Sequence, residues 1–143
     1  MRLSRPFQML VLFGFVLAVA GAQSVERSEE SARDAFVPVF SVDAYGAAWI
    51  LGDTDNNGEH DYALMVDDMN RKRYEAIDFN GDGLMDDFYI YEGGVLVSEQ
   101  LDTNFDGAID LWIHMHDGAR IRGYERDTDY DGEVDVVKEF GGN

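Results

Sequence analysis

Four nine-residue segments hold the residues whose types and spacing could do chemistry. They are Asp53–Asp61 (DTDNNGEHD), Asp78–Asp86 (DFNGDGLMD), Asp102–Asp110 (DTNFDGAID) and Asp127–Asp135 (DTDYDGEVD). Each fits D-x-[DN]-x-[DN]-G-x-x-D, and their starts lie 25, 24 and 25 residues apart. The chemistry this suggests is binding of a hard cation by oxygen. Calcium takes about six to eight oxygen ligands at roughly 2.3–2.6 Å, mainly carboxylates and carbonyls. In such a loop the first, third and fifth side chains turn inward. The glycine at the sixth position permits a sharp bend, which brings the seventh carbonyl onto the ion, and the ninth Asp closes the shell.

The first loop offers Asp53, Asp55, Asn57 and Asp61 with the Glu59 carbonyl. The second offers Asp78, Asn80, Asp82 and Asp86 with the Leu84 carbonyl. The third offers Asp102, Asn104, Asp106 and Asp110 with the Ala108 carbonyl. The fourth offers Asp127, Asp129, Asp131 and Asp135 with the Glu133 carbonyl. A plain turn needs one Asp or Asn and a Gly. Three or four carboxylates in nine residues repel one another unless a cation lies between them. The expected cofactor is therefore Ca2+. The fourth loop, with four carboxylates, is expected to bind tightest. Magnesium dehydrates reluctantly and wants a tighter octahedron, so it should compete poorly.

These loops resemble the first nine positions of an EF-hand loop, as also found in dockerins and thrombospondin type 3 repeats. An EF-hand carries an acidic ligand at the twelfth position. The twelfth positions here are Leu64, Tyr89, Ile113 and Lys138, which argues against a helix-loop-helix unit. The closer resemblance is to the nine-residue calcium loops of integrin alpha-subunit propellers, of the FG-GAP type. There the ninth Asp completes the site and strands flank the loop. The FG and GAP signatures are absent here, and the repeat is shorter than a propeller blade. The resemblance therefore implies calcium loops between strands and carries over neither the propeller nor an adhesion role. Without a twelfth ligand the sites should be weak, on the order of 0.1–1 mM.

Other chemistry has thinner support. His114 and His116 share a strand face, and His60 lies in another repeat, but no third metal ligand recurs at this spacing. A hydrolytic carboxylate pair would be indistinguishable among so many Asp. Trp49, Trp112 and the seven Tyr could stack on sugars, although aromatic residues more commonly pack in a core. No nucleophile elbow, P-loop or dinucleotide fingerprint occurs. The expectation is a non-enzymatic protein. The alternative is a carbohydrate-binding or hydrolytic protein in which calcium only supports the fold.

The text between the loops says what positions them. Each loop leads into a short apolar stretch: Tyr62–Val66, Phe88–Tyr91, Leu111–Met115 and Val134–Phe140. A turn signal follows, with Gly93-Gly94 and Asp117-Gly118 suited to two-residue hairpins and Asp68-Met69-Asn70 a weaker turn. A second stretch then returns to the next loop: Arg71–Ile77, Val95–Leu101 and Ala119–Arg126. These runs are rich in β-formers and too short for ordinary helices. Phe36–Val42 and Ala47–Leu51 read as a degenerate opening hairpin, with Pro38 on an edge strand. The predicted fold is all-β, an antiparallel meander of about four to five hairpin repeats with about nine strands. One sheet face is the more apolar, and no helix is predicted to cover it. The sheet must then curl, fold into two layers or associate. A protein or glycan partner on the sheet face is one way to cover it.

The start of the chain reads as a secretory signal peptide over residues 1–22. Arg2 and Arg5 precede an apolar run from Met9 to Ala20, and Ala20-Gly21-Ala22 gives a cleavage site. The run is shorter than a membrane-spanning helix needs. Residues 23–35 read as a polar linker and 36–143 as the repeat domain. No cysteine is present, which excludes a lipobox, a disulfide scaffold and thiol catalysis. The expected location is secreted or periplasmic, with no membrane attachment after cleavage. The 143 residues carry 11 Lys+Arg and 29 Asp+Glu, a net charge of -18. That balance excludes a nucleic-acid partner, which needs a basic face. Thirteen of the 29 acids are ligand candidates in the four loops, so nearly half of the acidity is a positioned binding apparatus.

Overall fold

The computed structural model describes residues 36–141. The leader and linker expected over residues 1–35 lie outside them. Eight strands form one antiparallel sheet in sequence order. They are β1 (Ile50–Gly52), β2 (Tyr62–Val66), β3 (Lys72–Ile77), β4 (Asp87–Glu92), β5 (Val95–Leu101), β6 (Leu111–His116), β7 (Arg120–Arg126) and β8 (Val136–Glu139). The expected all-β meander is what the chain adopts.

Turn chemistry sets this order. Gly93 and Gly94 have φ of 59° and 88°, and Asp117 and Gly118 have 57° and 70°. Positive φ at both central residues matches the right-handed twist of the flanking strands. The weaker turn is longer. The Asp67 carboxylate there accepts the amides of Met69 and Arg71, each at 2.9 Å, and Asn70 takes a φ of 59°. Each of these hairpins also shifts register near its turn, at Met65/Val66, Ile90/Tyr91 and His114/Met115. The tight turns join β2–β3, β4–β5 and β6–β7. The acidic loops join the remaining strand pairs, so all four emerge at the same end of the sheet.

Register sorts side chains onto two faces. One cross-strand row runs Leu51, Ala63, Ala76, Phe88, Gln100, Trp112, Glu125 and Val137. We call this the first face. The second face carries the row Tyr62, Ile77, Asp87, Leu101, Leu111, Arg126 and Val136. The core lies on the first face over β2–β4, where Ala63, Ala76, Phe88 and Ile90 are buried with Phe36, Tyr45 and Met85.

The opening segment departs from expectation. Phe36–Val42 is not a strand; its one β-type pairing is an isolated bridge, Ser41 to Leu84, before a 3-10 turn at Val42–Ala44. This leaves eight strands among the described residues where about nine were expected. Residues 36–49 lie across the first face instead of beside it. Phe36 stacks on Tyr74 with ring centres 4.7 Å apart, and Phe40 meets Phe88 edge-on at 5.3 Å. Ala63 and Ala76 leave room for this close approach. Pro38 lacks the N–H a ladder would need, and burying four aromatic rings outweighs one more edge pairing. An irregular segment thus covers the first face over β2–β4, where no α-helix lies among the described residues. Past β5 the same face is open, and Val137 there is 67% exposed.

Candidate metal centres

All four acidic loops are built alike. The first Asp of each accepts the amide of the sixth-position glycine: Asp53 from Gly58 at 3.0 Å, Asp78 from Gly83 at 2.9 Å, Asp102 from Gly107 at 2.7 Å and Asp127 from Gly132 at 2.8 Å. These glycines have φ between 85° and 98°, the left-handed range that favours glycine. A second left-handed residue recurs at the fourth position: Asn56, Gly81, Phe105 and Tyr130, with φ of 62°, 74°, 62° and 62°. The pair of left-handed residues curls the loop around its first carboxylate.

The ninth Asp is held from the second position. Thr54, Phe79, Thr103 and Thr128 donate their main-chain N–H to Asp61, Asp86, Asp110 and Asp135 at 2.7–2.8 Å. The three threonines add their hydroxyls at 2.6–2.7 Å. The fifth residue, Asn57, Asp82, Asp106 or Asp131, accepts the amide of the seventh: Glu59, Leu84, Ala108 or Glu133, at 2.7–3.0 Å. A main-chain ladder links neighbouring loops. Asp78 N–H donates to Asp61 O at 2.9 Å, Asp102 to Asp86 at 2.8 Å and Asp127 to Asp110 at 2.9 Å.

Two loops gather three carboxylates. Oxygens of Asp53, Asp55 and Asp61 lie within 4.8 Å of one another, as do those of Asp127, Asp129 and Asp135. Asp131 stands outside its triad. In the second and third loops the third position is Asn80 or Asn104, whose amide donates to Asp82 at 3.0 Å or Asp106 at 2.8 Å. Several ligand candidates are buried: Asp78, Asp86, Asp102, Asp110 and Asp127.

The electrostatics fit a cation. Repulsion from Asp131, and then from Asp135, raises the Asp129 carboxyl above its ordinary value. Burial raises Asp86, and the charges of Asp78 and Asp82 add to it. The Thr54 and Thr128 hydroxyls lower Asp61 and Asp135, keeping them ionised. The clustered carboxylate oxygens, repelling one another, are a donor set that could hold a hard cation.

Other expected groups are placed as follows. His114 Nε2 lies 3.1 Å from Glu125 Oε1, and His116 Nε2 lies 3.2 Å from Asp117 Oδ2. The two imidazoles therefore serve separate acids. Trp49 belongs to the core, edge-on to Tyr45 at 4.7 Å, and is not free as a sugar platform.

Two carboxylates on the second face lie outside the repeated loop pattern. Glu75 accepts the hydroxyls of Tyr62 on β2 and Tyr91 on β4, and the Lys72 ammonium at 2.6 Å. Burial alone would raise its carboxyl, but Lys72 and the two tyrosines outweigh it and hold the group below its ordinary value. Asp87 is 1% exposed, and its Oδ1 has no hydrogen-bond partner. Burial pushes its carboxyl up to about 7, against a hydrogen bond from Tyr89, and the Glu99 charge adds to the rise. A signal for Asp87 was present. The residue after the ninth Asp is Tyr62, Leu111 or Val136 in the other repeats, and only Asp87 is charged.

Comparison with known protein families, with curated proteins and with solved structures finds no match, so the functional reading rests on the geometry and chemistry of the four loops.

Proposed function

We propose that this chain is an exported, non-enzymatic calcium-binding repeat protein. Its loops hold Ca2+ and stabilise a β-sheet that acts as a structural or interaction module. The observation that carries the reading is the convergence of Asp53, Asp55 and Asp61, and of Asp127, Asp129 and Asp135, within loops whose framework recurs four times. The mechanism is metal-coupled folding. The sheet buries few side chains, and most of its buried carboxylates, Asp78, Asp86, Asp102, Asp110 and Asp127, lie in the loops. Cations remove that repulsion and add binding free energy to folding. At about ten times Kd each site adds roughly 1.4 kcal/mol. Four sites would then contribute a large share of the roughly 5–15 kcal/mol typical of a domain.

The test is a thermal melt with calcium, with magnesium and with chelator. Calcium should raise the midpoint strongly, magnesium little, and chelation should lower it. An unchanged midpoint on chelation would sink the reading. Titration calorimetry should then count close to four ions.

A further inference from the structure

We propose that the second face of β6–β8 is a docking surface for an extended acidic peptide segment of a partner protein. The proposal deepens the interaction role proposed above by naming the face and the partner's chemistry. A groove of about 360 Å³ opens there, lined by Leu111, Ile113, Ile121, Tyr124, Arg126 and Val136 with Thr128 at its loop end. The register places Lys138 beside Tyr124 on this face, and its ammonium lies 5.2 Å from the centre of the Phe140 ring. Ile121 is 49% exposed and Phe140 42%.

The charge on this face is the deciding feature. In a chain with 29 acids and 11 bases, the strand residues on this face of β6–β8 include no carboxylate. They are apolar or cationic. The Arg126 Nε is buried with no hydrogen-bond partner, so a donor is held at the groove without an acceptor. Leaving such a donor unmet is costly, and a carboxylate is the acceptor that suits a guanidinium best. The apolar floor asks for apolar side chains, and the cations ask for acids between them. The molecule also shows how it covers a sheet face. Residues 36–49 lie flat over β2–β4 as an irregular segment anchored by aromatic rings. A partner segment would cover β6–β8 in the same manner on the other side. A second copy docking through the same face would set Arg126 and Lys138 against their own counterparts and bring no strand carboxylate to meet them, which disfavours it as the occupant.

The probe is a labelled synthetic peptide of alternating glutamate and leucine, titrated against the full chain in saturating calcium. A lysine and leucine peptide is the control. The acidic peptide should bind and the basic one should not. Ile121→Asp and Lys138→Glu should each weaken binding about tenfold or more, and added salt should weaken it further. Val137→Asp, on the opposite face, should leave it unchanged. Ile121 and Lys138 lie at the surface, and a melt of each variant checks that the fold persists. Absence of binding, or binding indifferent to both groove variants, overturns the proposal. So does capture of anionic vesicles in place of the peptide, or self-association that the groove variants abolish. A chain whose melt ignores chelator but whose peptide binding is lost in Ile121→Asp would retain the docking face and lose the calcium reading.

Discussion

Thr103 grips Asp110 twice, its main-chain N–H reaching one carboxylate oxygen at 2.7 Å and its hydroxyl the other at 2.7 Å. This clasp joins the second and ninth positions of the loop and aims the carboxylate that closes it. Thr103→Val removes the hydroxyl bond while keeping the side chain's shape. The expected cost is about 1 kcal/mol of stability, with calcium affinity at that loop lowered several-fold. The second loop has Phe79 at this place, so Phe79→Thr should act in the opposite direction. Site-resolved calcium titrations of both variants check the pair, and equal affinities would remove the clasp from the account.

Gly123 sits where β7 and β8 approach closely. A Cβ added there would meet the Lys138 carbonyl oxygen at 2.6 Å, and that oxygen belongs to the main chain. Gly123→Ala should therefore cost about 1–3 kcal/mol by forcing the last strand away. Denaturant unfolding gives the number. An unaltered midpoint would mean that β8 does not lie as close as described.

Glu75 ties three adjacent strands through Tyr62, Lys72 and Tyr91. Its carboxyl is held below its ordinary value, so it favours folding at any pH above its unfolded pKa. That contribution is lost as pH falls through the lower folded value. Glu75→Gln should destabilise the protein by about 1–3 kcal/mol near neutrality. The gap between the two proteins should narrow on acidification below about pH 4, where unfolded glutamate protonates. A gap independent of pH would show that the charge contributes nothing.

Asp87 works the other way. Its carboxyl is pushed up to about 7, so the folded chain holds a proton that the unfolded chain releases from about pH 4 upward. The wild type therefore loses stability between those values. Asp87→Asn stays neutral, and its advantage in melting temperature should grow from about pH 4 to about 7 and then level off. Measuring both proteins at the same calcium level isolates this group. A constant difference would contradict the burial argument.

Much of this molecule was legible because its repeat is written in residues with few conformational options. Gly93-Gly94 and Asp117-Gly118 announce tight hairpins, and the recurring D-x-[DN]-x-[DN]-G-x-x-D places the loops between them. The opening segment was not legible. Phe36, Phe40, Tyr45 and Trp49 are residues a strand would also use, and only the unfilled space above Ala63 and Ala76 decides that they lie across the sheet. At the fourth loop position Asn56 and Gly81 hint at the left-handed backbone, whereas Phe105 and Tyr130 take it because the loop around them requires it. The second-position threonines were visible as a repeated letter without a role. Their function needed the distance to the ninth Asp. Glu75 and Asp87 carry no local signature of their burial, because pairing across three strands, not local spacing, buries them.

The amide ladder from Asp61 through Asp86 and Asp110 to the next loop in turn makes the assembly behave like a zip fastener. Each loop's first residue donates to the last residue of the loop before it, so order at one tooth is inherited by the next. Two strands separate successive loops, a pitch of roughly 10 Å. Loading should spread outward from whichever site fills first, and a damaged middle tooth should cost more than a damaged terminal one.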